Sequence, residues 1–404
     1  MKPKNNFFGF GKNVTVAGLV SFFMDVSSEM IYPLVPLFLS NVLGINKSVI
    51  GLIEGVAEST ASLLKVFSGW LSDRIGNRKW LMAAGYGIST LSRPVIALAA
   101  GWHQVMGSRF IDRFGKGIRT APRDAIIAES TDSAFLGRAF GFHRSMDTLG
   151  AVVGPGLAYW LLQILSNDYR QVFWLSMIPG IIAVLLIICF IMEKKTSYDA
   201  HEKRPNLSLK QFDIRFRFFL VIAAIFALGN SSDVFLILRA QQIGISTAMI
   251  PVVYLMFNLV YSLSAIPSGM AADRFGKKRV IFLGFVLFAI LYFGFARASD
   301  TRHIWVLFGL YGLFMGLTEG IQKAYLTTII PSDFKATAFG IYNTVVGIAT
   351  LPASLIGGWL WDSVSPSATF YFGSITAGIS ALMFIGFNSF IQNYANQKMS
   401  REGV

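Results

Sequence analysis

The chain has 404 residues, 54% of them hydrophobic and only 14% charged, with a formal net charge of +13 and a mean hydropathy of +0.56. Soluble domains carry about 25% charged residues, so the deficit points to a protein that lives in a lipid bilayer. The single cysteine, Cys189, excludes an intramolecular disulfide. The histidines, His103, His143, His201 and His303, are scattered without the spacing of a metal site.

Twelve stretches are long enough to cross ~30 Å of hydrocarbon at ~1.5 Å per residue. They fall at 14–40, 47–72, 79–101, 104–130, 138–165, 171–193, 216–243, 247–272, 279–297, 302–330, 336–362 and 367–393. The first is long enough to span and to act as its own insertion signal. Lys and Arg crowd the connections on one side, among them Lys12, Arg78, Lys79, Arg274 and Lys277. The other side has Lys47, Arg170, Arg297 and Arg302. This bias places both termini in the cytoplasm. It also accounts for the positive net charge without a nucleic-acid partner.

In span one, Asp25 and Glu29 lie at i, i+4 on one face, as do Glu54 and Glu58 in span two. Carboxylates so close in a low-dielectric site repel, and repulsion is relieved when one holds a proton. The alternative is static pairing, of Glu58 with Lys65 or of Asp25 and Glu29 with the arginines of span four. Arg93 precedes Pro94 in span three, and Arg144 and Asp147 lie in span five. All three are candidates to neutralise the N-terminal charges.

Span four contains the densest charge in the chain, QVMGSRFIDRFGKGIRTAPRDAIIAE over residues 104–129. At ~100° per residue, Arg109, Asp112, Arg113, Lys116, Arg119, Arg123 and Asp124 project within an arc of roughly 140°. Phe110, Ile111, Phe114 and Ile118 occupy the other side. A charge at the bilayer centre costs ~3 kcal/mol or more, so such residues face a protein interior or a watery cavity. An amphipathic helix lying on anionic lipid is the other reading, but the count of spans requires this segment to cross. The cationic excess suits an anionic solute.

The polar stretch 194–215 divides the chain into 1–193 and 216–404 and reads as a cytoplasmic linker, with a short amphipathic helix at Leu207–Phe212. The two parts resemble each other. Gly69-x3-Asp73-Arg74-x-Gly76 returns as Gly269-x3-Asp273-Arg274-x-Gly276. Ser27-Ser28-Glu29 is matched by Ser231-Ser232-Asp233, and Arg138-Ala-Phe-Gly141 by Thr337-Ala-Phe-Gly340. Parallel repeats of this kind mark secondary transporters. Within the second part the spans offer Asp233, Arg239, Glu319 and Lys323. Glu319 and Lys323 at i, i+4 can satisfy each other, and Arg239 falls near the outer end of span seven, where it would see water. Asn230, Asn258, Gln322, Tyr325 and Asn343 are available to bond a solute or to join helices.

These residues resemble the major facilitator superfamily over nearly the whole chain. The duplicated Gly-x3-Asp-Arg-x-Gly loop is similar to that family's signature between its second and third helices. Arg113-x2-Lys116-Gly117 resembles its fourth-helix motif, with Lys where Gln is usual, and Gly150-x3-Gly154-Pro155 resembles a fifth-helix motif associated with antiporters. The run DRFGKGIRTAPRDA resembles a poorly characterised prokaryotic subgroup. The resemblance implies an all-α membrane protein of twelve helices in two pseudo-symmetric six-helix bundles. It also implies a prokaryotic inner membrane and alternating access.

The expected function is proton-coupled transport of a small anionic solute: an organic phosphate, a polycarboxylate or a carboxylate-type metal chelate. Arg113, Lys116, Arg119, Arg123, Glu319 and Lys323 are the candidate solute ligands, since cations and forked guanidiniums suit carboxylate and phosphate. Asp25, Glu29, Glu54 and Glu58 are the candidate proton carriers. Gly69, Asp73, Arg74, Gly76, Gly269, Asp273, Arg274 and Gly276 form the candidate conformational latch, in which a carboxylate at a helix end accepts from a neighbouring helix N-terminus. A drug/proton antiporter for apolar cations is the first rival, supported by the many aromatics. A lipid flippase or a membrane sensor on the same scaffold is the second. Gly115-Lys116-Gly117 is too short for a phosphate loop, and the nucleophile-elbow and zinc-protease patterns are absent. Neither an enzyme, an ATP-driven pump nor a cofactor is therefore expected.

Overall fold

The computed structural model describes residues 11–75, 77–131, 136–192, 212–330 and 335–402, with the backbone alone at 65–75, 136–138, 141, 266, 273, 327, 335–337 and 388–402. Among the described residues every regular element is a helix. Helices α1 (Lys12–Ile31), α2 (Val35–Leu37) and a π-helical turn (Phe38–Val42) make one crossing. They are followed by α3 (Lys47–Ile75), α4 (Arg78–Ala97), α5 (Trp102–Glu129) and α6 (Leu136–Ile164). The pairs α7 (Tyr169–Leu175) with α8 (Met177–Phe190), and α9 (Ile214–Gly229) with α10 (Val234–Ile243), make one crossing each. Helices α11 (Ile250–Phe275), α12 (Lys277–Arg297), α13 (Thr301–Ile329), α14 (Lys335–Ser363) and α15 (Pro366–Glu402) complete the chain.

The interruptions have local causes. Pro33 and Pro36 lack the N–H that would continue α1, so the chain turns at Tyr32–Leu34 and restarts with Pro36 in the first turn of α2. Asn230–Asp233 separate α9 from α10. Gly276 joins α11 to α12 with φ of +92°, a conformation that side chains resist.

Eight stretches among the described residues are long and apolar enough to cross a membrane. Helices α3, α4, α5 and α6 are as long but are not among them. They carry the ionisable side chains that the sequence places in spans two to five, and in α3, α4 and α5 several of these are turned onto one another. Helix α5 buries Arg109, Asp112, Arg113 and Arg119 and leaves Phe110 44% exposed, so the charged arc read from the sequence is the inward face.

Helix α1 packs along α6, α5 along α4 and α3, α11 along α13, and α12 along α15. The N-terminal and C-terminal helices meet where α3 runs beside α14 and α6 beside α11. Contact at α3–α14 is backbone-close. A Cβ on Gly51 would collide with the carbonyl of Ser354, and one on Gly347 with the side chain of Ser62. The Ser59 hydroxyl donates to the Gly347 carbonyl at 2.7 Å. Asp362 on α14 accepts from the Ser48 amide at 2.7 Å, which fastens the start of α3. At this end Leu34, Leu37, Phe38, Phe235, Leu236 and Tyr254 belong to one buried cluster that joins the two sets of helices. Tyr32 lies against Tyr254 at 5.4 Å between ring centroids. The other end, where α3 meets α4 and α11 meets α12, is the one rich in Lys and Arg. We call it the basic end.

Candidate functional site

The interior of α3–α5 is built from matched pairs. Arg109 grips Glu54 with both arms of its fork, Nε to Oε1 at 2.9 Å and Nη2 to Oε2 at 2.6 Å. Glu54 is 1% exposed. Arg113 meets Glu58 at 2.9 Å. Glu54 and Glu58 are thus both ion-paired in the structure. Glu58 takes Arg113 as a partner, whereas Lys65 lies among residues whose side chains are outside the description. Arg93 on α4 reaches Asp112 at 3.2 Å and donates to Ser28 at 2.9 Å and Ser27 at 3.3 Å. The serine pair read as part of an internal repeat is therefore a set of acceptors for a buried guanidinium. Arg123 pairs with its neighbour Asp124 at 2.9 Å. Arg119 lies over the Tyr86 ring at 4.4 Å and donates to Ser89 at 2.9 Å.

Three ionisable side chains of this region stand apart. Asp25 and Glu29 on α1 and Lys116 on α5 form no side-chain hydrogen bond or ion pair within 4.0 Å among the described residues. One carboxylate oxygen of Glu29 is buried without a hydrogen-bond partner. Lys116 nevertheless lies within electrostatic reach of both Glu29 and Asp25.

Glycines set this arrangement. Gly115 fits against the Gly85 carbonyl and Ser89 on α4, and Gly117 fits against Leu64 on α3. Two close approaches, on either side of Lys116, clamp α5 between its neighbours and leave the lysine on a third direction. On α6, a Cβ at Gly150 would lie 2.9 Å from the Cβ of Asp25, and one at Gly154 2.8 Å from the Cβ of Glu29. The fifth-helix glycine motif thus does its packing at the two unpaired carboxylates.

The remaining expectations divide. Glu319 and Lys323 are 3.8 Å apart, but Glu319 also accepts from the Tyr261 hydroxyl and faces Arg144 at 3.8 Å. Arg144 reaches from α6 to Tyr261 and Glu319 on the C-terminal helices. None of these residues hydrogen-bonds or ion-pairs with Lys116 among the described residues. Arg239 is buried, not watered: it donates to the carbonyls of Phe295, Ala296 and Ala298 and to Gln242. Asn258 donates to the Ala151 carbonyl across the α6–α11 seam, and Gln322 accepts from Tyr342. Of the latch candidates, Gly76 and the side chains at Gly69, Asp73, Arg74 and Asp273 lie outside the described residues, as does 207–211. Arg274 is exposed, over the Phe275 ring. Arg78 pairs with Glu129 at the end of α5.

Sequence reading missed a trio on the α1–α6 seam, in which Ser21 and His143 are buried and Asp147 is partly so. The Ser21 hydroxyl and His143 Nε2 are 2.6 Å apart, and His143 Nδ1 is 3.6 Å from Asp147. Asp147 is in turn the carboxylate that acts most on Asp25. His143 and Asp147 stand at i, i+4 on α6, a spacing the sequence displays, whereas Ser21 belongs to α1 and only the fold brings it to them.

Known proteins bear on this arrangement. The sequence model of the family described as Major Facilitator Superfamily matches residues 17–238 and 218–390. An uncharacterised MFS-type transporter of Methanocaldococcus jannaschii is 36% identical over 390 residues, 95% of this chain and 97% of that protein. The proton-coupled antiporter flippase LtaA of Staphylococcus saprophyticus is 21% identical over 94% of this chain and 95% of its own length. The crystal structure of a POT family transporter in complex with 5-aminolevulinic acid superposes with a TM-score of 0.80 at 14% identity, over 96% of this chain and 98% of that one. At that identity the likeness is one of fold.

Proposed function

The chain belongs to the Major Facilitator Superfamily, and from that premise we propose that it carries a small anionic solute together with protons, with Lys116, Asp25 and Glu29 as the working centre. It is a membrane-embedded secondary transporter, not an enzyme. The observation that carries the finer reading is the contrast inside one cluster. The carboxylates of Glu54, Glu58, Asp112 and Asp124 each have a guanidinium, whereas Asp25, Glu29 and Lys116 have none. A charge left without a partner inside the span of a membrane protein is costly. It is tolerated where an outside partner periodically supplies what is missing.

The chemistry follows from charge balance. While Asp25 and Glu29 are ionised, they offset Lys116, and an entering anion meets no net attraction. When they take up protons, the ammonium is left uncompensated and can hold a carboxylate or phosphate. Proton and anion therefore bind together and leave together. Arg113, Arg119 and Arg123 support this centre as the cationic wall around it, already engaged with Glu58, Tyr86 and Asp124. In the same reading residues 1–193 and 216–404 rock about the centre, 194–215 links them, and the duplicated loops at Asp73 and Asp273 latch them. The termini lie on the cytoplasmic side.

A thermal-shift screen of the purified protein tests the class of solute. Organic phosphates and polycarboxylates should raise the melting temperature at acidic pH and do so less at alkaline pH, and Lys116→Gln should abolish the effect. Stabilisation by lipophilic amines instead, strongest at alkaline pH, would support the drug/proton antiporter.

A further inference from the structure

At the basic end, a cavity of 470 Å³ opens between α6, α11 and α13, away from Lys116. Gly269, Gly316 and Gly320 line it, and its polar groups are Arg144, Tyr261, Lys277, Glu319 and Lys323. Arg144, Tyr261 and Lys323 converge on a single carboxylate. Glu319 accepts from the Tyr261 hydroxyl, faces Arg144 at 3.8 Å and faces Lys323 at 3.8 Å. Arg144 in turn donates to Tyr261 at 2.7 Å. The carboxylate thus has two cations and a phenol arranged around it, which is the environment a free anion would need. It belongs to the protein, and it sits where the N-terminal and C-terminal helices meet, since Arg144 is on α6 and its partners are on α11 and α13.

We propose that this cavity is a vestibule site for the carboxylate or phosphate end of the solute, and that Glu319 is an internal anion the solute must displace. The inference deepens the anionic reading and rests on it. While Glu319 holds Arg144, α6 is tied to α13. An incoming anion competes for the same guanidinium and the same ammonium, so its arrival unties the two. Entry of the solute is then coupled to separation of the helices it must pass. The arrangement suits this exchange: Arg144, Glu319 and Lys323 have half-exposed side chains. Their contacts at 3.8 Å are loose ones, and exposed pairs of this kind exchange partners at small cost. The buried Arg109–Glu54 fork could not.

The test uses full-length protein in nanodiscs of zwitterionic lipid, with spin labels at Phe140 on α6 and Thr328 on α13 and inorganic phosphate as the probe. Phosphate should lengthen the label distance in the otherwise native protein. Glu319→Gln should lengthen it without phosphate and bind phosphate several-fold more tightly. Tyr261→Phe should act in the same direction but less. Arg144→Gln should remove the phosphate response. Repeating the measurement with anionic lipid in the disc separates a headgroup from a free anion: if headgroups occupy the site, the distance is already long and phosphate adds nothing. An unchanged distance in Glu319→Gln, or weaker phosphate binding there, overturns the proposal. Lys116→Gln separates this inference from the reading it rests on. That variant should keep the label response, and its failure to stop tight solute binding would count against the central site alone.

Discussion

The N-terminal helices α1–α8 and the C-terminal helices α9–α15 share one superfamily and one repeated pattern, yet they are held together by different physics. In the first set the interior is ionic. Arg93, Arg109 and Arg113 are threaded through Asp112, Glu54 and Glu58, and the glycines of α5 and α6 press these helices tightly together. In the second set the interior is aromatic. Phe226 stacks on Phe285 at 4.5 Å, and Phe288 on Tyr292 at 3.9 Å. Phe314 packs against Phe288 at 4.9 Å. Ring packing fills volume and tolerates small shifts. An ion-pair network inside a bilayer fixes register, because a pair broken by a slip leaves a charge unsolvated. The contrast locates chemistry on one side and a firm body on the other.

The largest effect should come from breaking a fork in the ionic set. Glu54→Gln leaves Arg109 buried without its carboxylate, and such a change costs roughly 3–5 kcal/mol. Unfolding in mixed micelles should show this loss, whereas the double change Glu54→Gln with Arg109→Gln should recover much of it. If the single and double variants were equally unstable, the network would not be what fixes these helices.

The aromatic set should be more forgiving. Lipid tails are as apolar as the core, so burial alone stabilises little, and what remains is packing. Phe288→Leu should cost about 1 kcal/mol, the scale of an aromatic pair beyond its area. Solute binding should be unchanged, as binding curves measured beside unfolding curves would show. A loss of binding without a loss of stability would place Phe288 in the solute path.

Between the two sets lies Asp233, at the break in span seven, which accepts from the Tyr311 hydroxyl at 2.7 Å. Tyr311→Phe removes that donor. The expected cost is ~1 kcal/mol, the net worth of one hydrogen bond, read from the same unfolding measurement. A cost comparable with the Glu54 variant would mean that the C-terminal set also has an ionic core.

The smallest effect should be at Asp300, outside the spans, where the carboxylate caps α13 by accepting from the Arg302 amide at 2.7 Å. That bond, first, and the nearby Arg302 charge hold its carboxyl below the ordinary range. The stability it adds is present above the ordinary carboxylate range and fades as pH falls through its lowered value. Asp300→Ala should therefore lower the melting temperature slightly at neutral pH and not at strongly acid pH. A difference that grew with acid would contradict the sign.

Much of the fold was legible because its signals are local. Runs of apolar residues, the duplicated Asp-Arg loop and the charged arc of α5 can be read without knowing what lies opposite. The site was legible only in part. Periodicity placed Arg109, Arg113 and Arg119 on one face, but it could not say that Glu54, Glu58 and the Tyr86 ring were already waiting for them. It named Arg113, Lys116, Arg119 and Arg123 together as solute ligands and could not say that Arg113 and Arg123 would be taken by Glu58 and Asp124 while Lys116 would not be. Pairing across helices depends on which spans become neighbours and at what depth, and a single sequence does not contain that. Arg239 failed for the same reason: the carbonyls that surround it belong to residues far along the chain.

The central claim is that protons and an anion bind together at Lys116, Asp25 and Glu29. The most direct measurement is proton uptake by the purified protein, followed with a pH-sensitive dye in weakly buffered solution while an anion found in the thermal-shift screen is added. The native protein should take up protons as the anion binds, near the pH where the binding is half-maximal. Asp25→Asn with Glu29→Gln should bind the anion with no proton uptake and with affinity that no longer depends on pH. Release of protons on binding, or equal uptake in the doubly substituted protein, would contradict the account.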